Sequence, residues 1–193
     1  MYARDGAAVL TIAKNITIRS KNRGAVILNG QGAHQVLRIV SGTVFLDGLS
    51  ITNGTATVSE KGAGLSIEGG TVDVRFCTIE NNMNTLDWYA GGVYVEGEEG
   101  QQATVASFNS CSILHNKGRQ SGGFYLWYST VEMRSVTIRG NVGSSEAGGG
   151  GIGVFGGYLS IYNSVISDNV AVSVTLMSTH SNTSMLAPIM ARC

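Results

Sequence analysis

The chain has 193 residues, enough for one sizeable domain, and its 13 Lys and Arg balance its 13 Asp and Glu. With charge balanced and no basic stripe, nothing argues for a nucleic-acid partner or an anionic membrane surface. No run of about 20 apolar residues argues for a membrane-spanning helix, and no basic start followed by an apolar core marks a secretory leader.

Residues 1–7 are weakly patterned and are expected to fray. From residue 8 onward the chain repeats itself. Ile51, Ile79, Ile113, Ile138 and Ile166 recur at intervals of 28, 34, 25 and 28 residues. Five residues before each lies Leu46, Val74, Phe108, Met133 or Ile161, and two before that lies Val44, Val72, Ala106, Val131 or Leu159. Two earlier apolar columns are Leu37, Leu65, Val93, Phe124, Ile152 and Ile39, Ile67, Val95, Leu126, Val154. Apolar residues at period two mean strands with one buried face. No segment before the tail carries a helical period.

A repeat of about this length is too short for a propeller blade of roughly 40–50 residues. The Leu pattern of leucine-rich repeats is missing. A coil with one short strand per side fits, each coil stacked on the last at about 4.8 Å. The expected coils run at about 8–30, 31–54, 61–82, 91–116, 122–141 and 150–171, an array of about six coils with three short strands each. One Pro in the whole chain suits central strands, in which every backbone N–H must pair. The 27 Gly suit the bends between sides.

The Gly-Gly-apolar starts at Gly91, Gly122 and Gly150 resemble the GGAI half of the polymorphic outer-membrane protein repeat. The ends Ile79–Asn82, Ile113–Asn116, Ile138–Asn141 and Ile166–Asn169 resemble its FxxN half, with Ile for Phe. Ala63-Gly64 departs from the Gly-Gly pattern. The segment ITIRSKNRGAVILNG with GTVFLDGLSITNG looks like the opening coils of pectin-lyase-like proteins. The resemblance covers residues 8–171 and implies an all-β, right-handed, single-stranded parallel β-helix. It also implies an extracellular or cell-surface setting, with adhesion or glycan contact as the function. The expected division is a β-helix domain at 1–171 and a tail at 172–193, which is either a cap over the last coil or disordered. The chain starts almost inside a coil, which suggests a segment of a longer protein. Exposed terminal coils also allow end-to-end self-association.

Asn82, Asn116, Asn141 and Asn169 are expected to form an amide ladder between coils and to sit at left-handed bends. The stretches Thr55–Lys61, Met83–Ala90, Lys117–Ser121 and Val142–Gly149 are expected as loops along one edge, where solenoids often bind. Gly97–Gln102 is expected to bulge at another corner. Cys77 and Cys111 fall in one column and are either a buried reduced pair or a disulfide. Cys193 is expected to be exposed.

The outward positions of the first strand carry the candidate chemistry. Tyr94, Tyr125, Trp127 and Phe155 share one outer face in adjacent coils. Such a strip is expected either to bind sugar rings or to be buried beneath the tail or a partner. Glu68 and Glu96 share that face. They are either solvated or the carboxylate pair that glycoside hydrolysis needs, so a polysaccharide lyase or glycoside hydrolase is the alternative to a binding segment, and a pure spacer is the third. The clustered Asp, Gly-His-Gly and Arg-x-Lys of pectate-lyase-like and polygalacturonase-like enzymes are missing. His34, His115 and His180 are far apart in the repeat, so no metal and no cofactor is expected. Polysaccharide or cell-surface glycan is the expected partner. Ser50, Thr78, Ser112 and Thr137 form an outward hydroxyl column that ends at Val165. Asn15, Asn53 and Asn182 lie in glycosylation sequons, patterns common by chance.

Overall fold

The computed structural model describes residues 8–56, 60–85, 89–100, 104–144 and 149–172. Residues 1–7, the tail beyond Val172 with His180, Asn182 and Cys193, and Gln101–Gln102 of the expected bulge lie outside them. The fold is all-β, a parallel solenoid of about five turns. Its rungs run from a first at 10–29 to a last at 152–171.

On the first face stack Leu10–Ala13, Leu37–Ser41, Leu65–Ile67, Val93–Glu96, the front of Phe124–Arg134 and the front of Ile152–Tyr162. The second face carries Ile16–Arg19, Thr43–Asp47, Thr71–Arg75, Val105–Asn109 and the rear halves of the same two long strands. The third carries Val26–Asn29, Leu49–Thr52, Thr78–Glu80, Ser112–Leu114, Thr137–Arg139 and Val165–Ser167. Every pairing is parallel, and the apolar columns fall in the expected register, for example Ile51 with Ile79 with Ile113 with Ile138 with Ile166.

The expected edge loops are partly strand. Thr55–Ala56, Met83–Asn84, Lys117–Gly118, Val142–Gly143 and Val170–Ala171 form a fourth, two-residue ladder. Its inward positions are small or amide, so the usual apolar alternation does not announce it. Ala56, Asn84, Gly118 and Gly143 are all buried.

Inside, each column is closed by its neighbours. Leu37, Ile39, Leu65, Ile67, Ile79 and Ile113 have no exposed surface, and each such side chain stabilises the fold by about 2 kcal/mol through burial. Phe108 meets Phe124 edge to face across the interior, centroids 5.3 Å apart.

The Asn ladder is present and buried. Asn82 Nδ2 donates to Asn116 Oδ1 at 3.0 Å, Asn116 Nδ2 to Asn141 Oδ1 at 3.0 Å, and Asn141 Nδ2 to Asn169 Oδ1 at 2.9 Å. The left-handed bend, however, lies one residue earlier than expected. Asn53, Asn81, His115, Gly140 and Asp168 have φ between 53° and 65°. The ladder asparagines keep ordinary backbone, and each turns its amide inward to the third-strand carbonyl of the previous rung, as Asn116 Nδ2 does to Ile79 O at 3.0 Å. A second left-handed column, Gly48, Phe76, Ser110, Ser135 and Asn163, turns the second face into the third.

Cys77 and Cys111 are both buried and free, not bridged. Burial pushes the Cys77 thiol up to about 11 and the Cys111 thiol up to about 12.

Candidate functional site

The outward side of the first face is where the candidate residues meet. Leu65, Val93, Phe124 and Ile152 point inward, so the residues after them point out. Register places Arg38, Ser66, Tyr94, Tyr125 and Gly153 in one outward column. Glu96, Trp127 and Phe155 form the next.

The aromatic residues do come together, but they do not make an exposed strip. Tyr94 and Tyr125 are each only 3% exposed. They stack on one another at 5.7 Å and 26°. The chain segments reaching the first face from the fourth edge fold over them. Tyr89 packs edge-on against Tyr94 at 5.8 Å. Ala90 bridges to Gly62 and Ser121, and Gln120 Nε2 donates to the Tyr125 hydroxyl at 3.3 Å. Burial, then the Glu96 charge, raises the Tyr94 phenol well above its usual range, and burial raises that of Tyr125. Among the described residues the cover is thus the chain's own edge segments, with Tyr89, Ala90, Gln120 and Ser121 over the two rings.

Trp127 and Phe155 stack face to face at 4.3 Å and 10°. Tyr128 packs edge-on against both, at 5.5 and 5.6 Å. Phe155 is 48% exposed, and it ends the column among the described residues. Alternation alone would turn Tyr128 inward, and for that reason sequence reasoning missed it. A left-handed φ of 42° at Tyr128 interrupts the alternation and swings its ring out beside Trp127. Gly156 makes room for that ring, because a Cβ there would stand 2.7 Å from it.

The two glutamates share the face but are not a free carboxylate pair. Arg38 grips Glu68 with two hydrogen bonds, Nε to Oε1 at 2.9 Å and Nη2 to Oε2 at 2.6 Å. Ser66 Oγ adds a third at 3.2 Å. Lys61 Nζ is ion-paired with Glu96. Burial on its own would raise the Glu68 carboxyl. Arg38, Lys61 and Ser66 outweigh burial and hold it below the usual carboxylate range. A general acid in glycoside cleavage needs the opposite shift. The like-charge repulsion expected from stacked glutamates is thus offset by one cation each. Arg38 was legible as a member of the outward column, whereas Lys61 reaches in from the fourth edge.

On the second face Asp47 and Arg75 are cross-rung neighbours. Arg75 nonetheless closes on Asp73 of its own strand at 2.6 Å, and Arg134 closes on Glu132 at 2.7 Å. Ser50, Thr78, Ser112 and Thr137 stack in one column that ends at Val165. Among the described residues no group of three or more His, Cys, Asp or Glu could hold a metal ion, and no helix among them is long and apolar enough to cross a membrane.

The chain matches no family model, no curated protein and no solved structure.

Proposed function

We propose that the chain is a non-catalytic segment of a surface or secreted protein. In this reading it is a right-handed parallel β-helix of the pectin-lyase-like kind, with about six coils of the polymorphic outer-membrane protein repeat type. It acts in adhesion or glycan contact. The observation that carries the reading is the state of the two glutamates. Each has its own cation, Arg38 on Glu68 and Lys61 on Glu96. Glu68, held below the usual carboxylate range, is not set up to deliver a proton, and a carboxylate locked in an ion pair is a poor nucleophile.

Glycan contact is assigned to the end of the aromatic column rather than to its whole length. Tyr94 and Tyr125 use their faces on one another and support the site from beneath. Trp127, Tyr128 and Phe155 present what remains, with Phe155 the most open of the three. Apolar ring surface of this kind suits the C–H face of a sugar. No nucleic-acid partner fits a chain of zero net charge.

The test is affinity electrophoresis through gels cast with a panel of polysaccharides. Wild type is expected to be retarded in at least one gel, and Phe155→Ala and Trp127→Ala to lose that retardation. Mobility unchanged by any of the polysaccharides, with all three proteins folded, would leave a spacer or protein-adhesion role.

A further inference from the structure

A second surface lies on a different corner of the rod. The left-handed bends that follow the third face aim a line of side chains outward along the solenoid axis. In the first four rungs those residues are Gln31, Asn53, Asn81 and His115, each with φ between 53° and 57°. Together with Asn29 and Lys117 they line an open groove of about 650 Å³. Three steps of about 4.8 Å make it about 14 Å long.

The backbone does not dictate these side chains. The left-handed column one corner earlier holds Gly48, Phe76, Ser110 and Ser135 at the same kind of bend. The groove side instead carries amides. Those of Gln31, Asn53 and Asn81 are exposed and make no hydrogen bond among the described residues. Each offers two donors and an acceptor. At the far end Gly140 leaves room for the His115 ring to lie across it, since a Cβ there would stand 2.6 Å from His115 Nδ1. Below that point the lining carries no carboxylate, and its amides are joined by one large apolar side chain, Met83.

We propose that this groove binds a linear oligosaccharide lying along the rod, with successive sugar hydroxyls held by Gln31, Asn53 and Asn81. The chemistry of the walls selects that class. A peptide strand would need free backbone groups, but here they are engaged within the coil. Gly54 N donates to Asn82 Oδ1, Met83 N to Gly54 O and Lys117 N to Asn82 O, all at 2.8 Å. A nucleic acid would need several cations and a series of stacking rings, whereas the lining holds one lysine, Lys117, and one ring, the imidazole of His115. Side-chain amides at a regular axial spacing fit a chain of repeating hydroxyls. The proposal does not rest on the aromatic site, which lies on the first face.

The test uses the whole chain produced in a bacterial host, so that Asn53 of the Asn53-Gly-Thr sequon stays unmodified. Cellohexaose, mannohexaose and chitohexaose are titrated by calorimetry into wild type and into the double variant Asn53→Asp/Asn81→Asp. Aspartate keeps the side-chain shape and tolerates the left-handed bend, and unchanged thermal midpoints check that it does. The expected result is that at least one hexasaccharide binds wild type and that its affinity falls at least tenfold in the double variant. No binding to wild type at millimolar sugar overturns the proposal. So does binding that survives the double variant.

Discussion

Gly92 lies directly against the Asn116 amide, so closely that a Cβ on Gly92 would stand 2.9 Å from Asn116 Nδ2 and 2.4 Å from Gly123 O. The same contact joins Gly64 to Asn82, Gly123 to Asn141 and Gly151 to Asn169. One rung reverses it. At the ladder position stands Gly54, and facing it is Val36, whose Cγ2 would be 2.8 Å from a Cβ on Gly54. The second Gly of each Gly-Gly pair and the Asn at the end of each repeat are thus two halves of one packing unit. The interior tolerates a large residue on either side of it but not on both.

This predicts a coupled pair. Gly92→Ala is expected to cost about 3 kcal/mol, because the added methyl meets backbone and a fixed amide. Asn116→Ala is expected to cost about as much, since it strips partners from Asn82 N, Asn82 Nδ2, Asn141 Oδ1 and Ile79 O in a buried site. The swap Gly92→Val/Asn116→Gly copies the Val36–Gly54 rung. Its cost, from urea unfolding, is expected to be at least 1 kcal/mol less than the sum of Gly92→Val and Asn116→Gly measured singly.

The two buried thiols should be silent in the folded protein. Their pKa values are raised by burial, to about 11 for Cys77 and about 12 for Cys111. A raised thiol pKa leaves the fold at full stability below the unfolded thiol value. The contribution is then lost as pH rises towards the folded values. In a Cys193→Ser background, an aromatic disulfide reagent at neutral pH should therefore release no thiolate colour until denaturant is added. Rapid native labelling of two thiols would contradict the burial.

Acid should act through Glu68. Its folded pKa lies below the unfolded value, so its contribution is present above the unfolded value and is lost as pH falls through the folded one. Arg38 is half-exposed, so solvent screening limits the pair to about 1 kcal/mol or less. Arg38→Gln should lower stability by no more than that at neutral pH. The gap from wild type should narrow once pH falls below the unfolded glutamate value of about 4.3 and close below the lower folded value, where the glutamate is protonated in both states. A gap that persists into acid would assign the loss to packing of the arginine stem instead.

Much of the architecture was legible because period-two columns recur in a coil whose neighbours are near-copies. Ile79 can lie only inside, and its partners Ile51 and Ile113 follow from the spacing. The covering of Tyr94 and Tyr125 was not legible. It depends on Tyr89 and Gln120, which lie in connecting segments of unequal length, and on Ala90, whose column with Gly62, Ser121 and Gly149 is made of small residues and shows no apolar alternation. The ion pairs were half legible. Arg38 sits in the same outward column as Ser66, whereas Lys61 approaches Glu96 from the fourth edge. Tyr128 escaped because a single left-handed residue inside an unbroken strand reverses its direction. The left-handed bend was assigned to the ladder asparagines, and it fell one residue earlier because a ladder amide must point inward to reach Ile79 O or Ile113 O.

Binding without turnover is the central claim, and one measurement addresses it directly. Wild-type protein is incubated with each polysaccharide that retards it in a gel, and the mixture is assayed for new reducing ends and for unsaturated products. The account predicts retardation with neither product above the protein-free control after prolonged incubation. Release of either product, reduced in Glu68→Gln or Glu96→Gln, would contradict it and make the first face an active site.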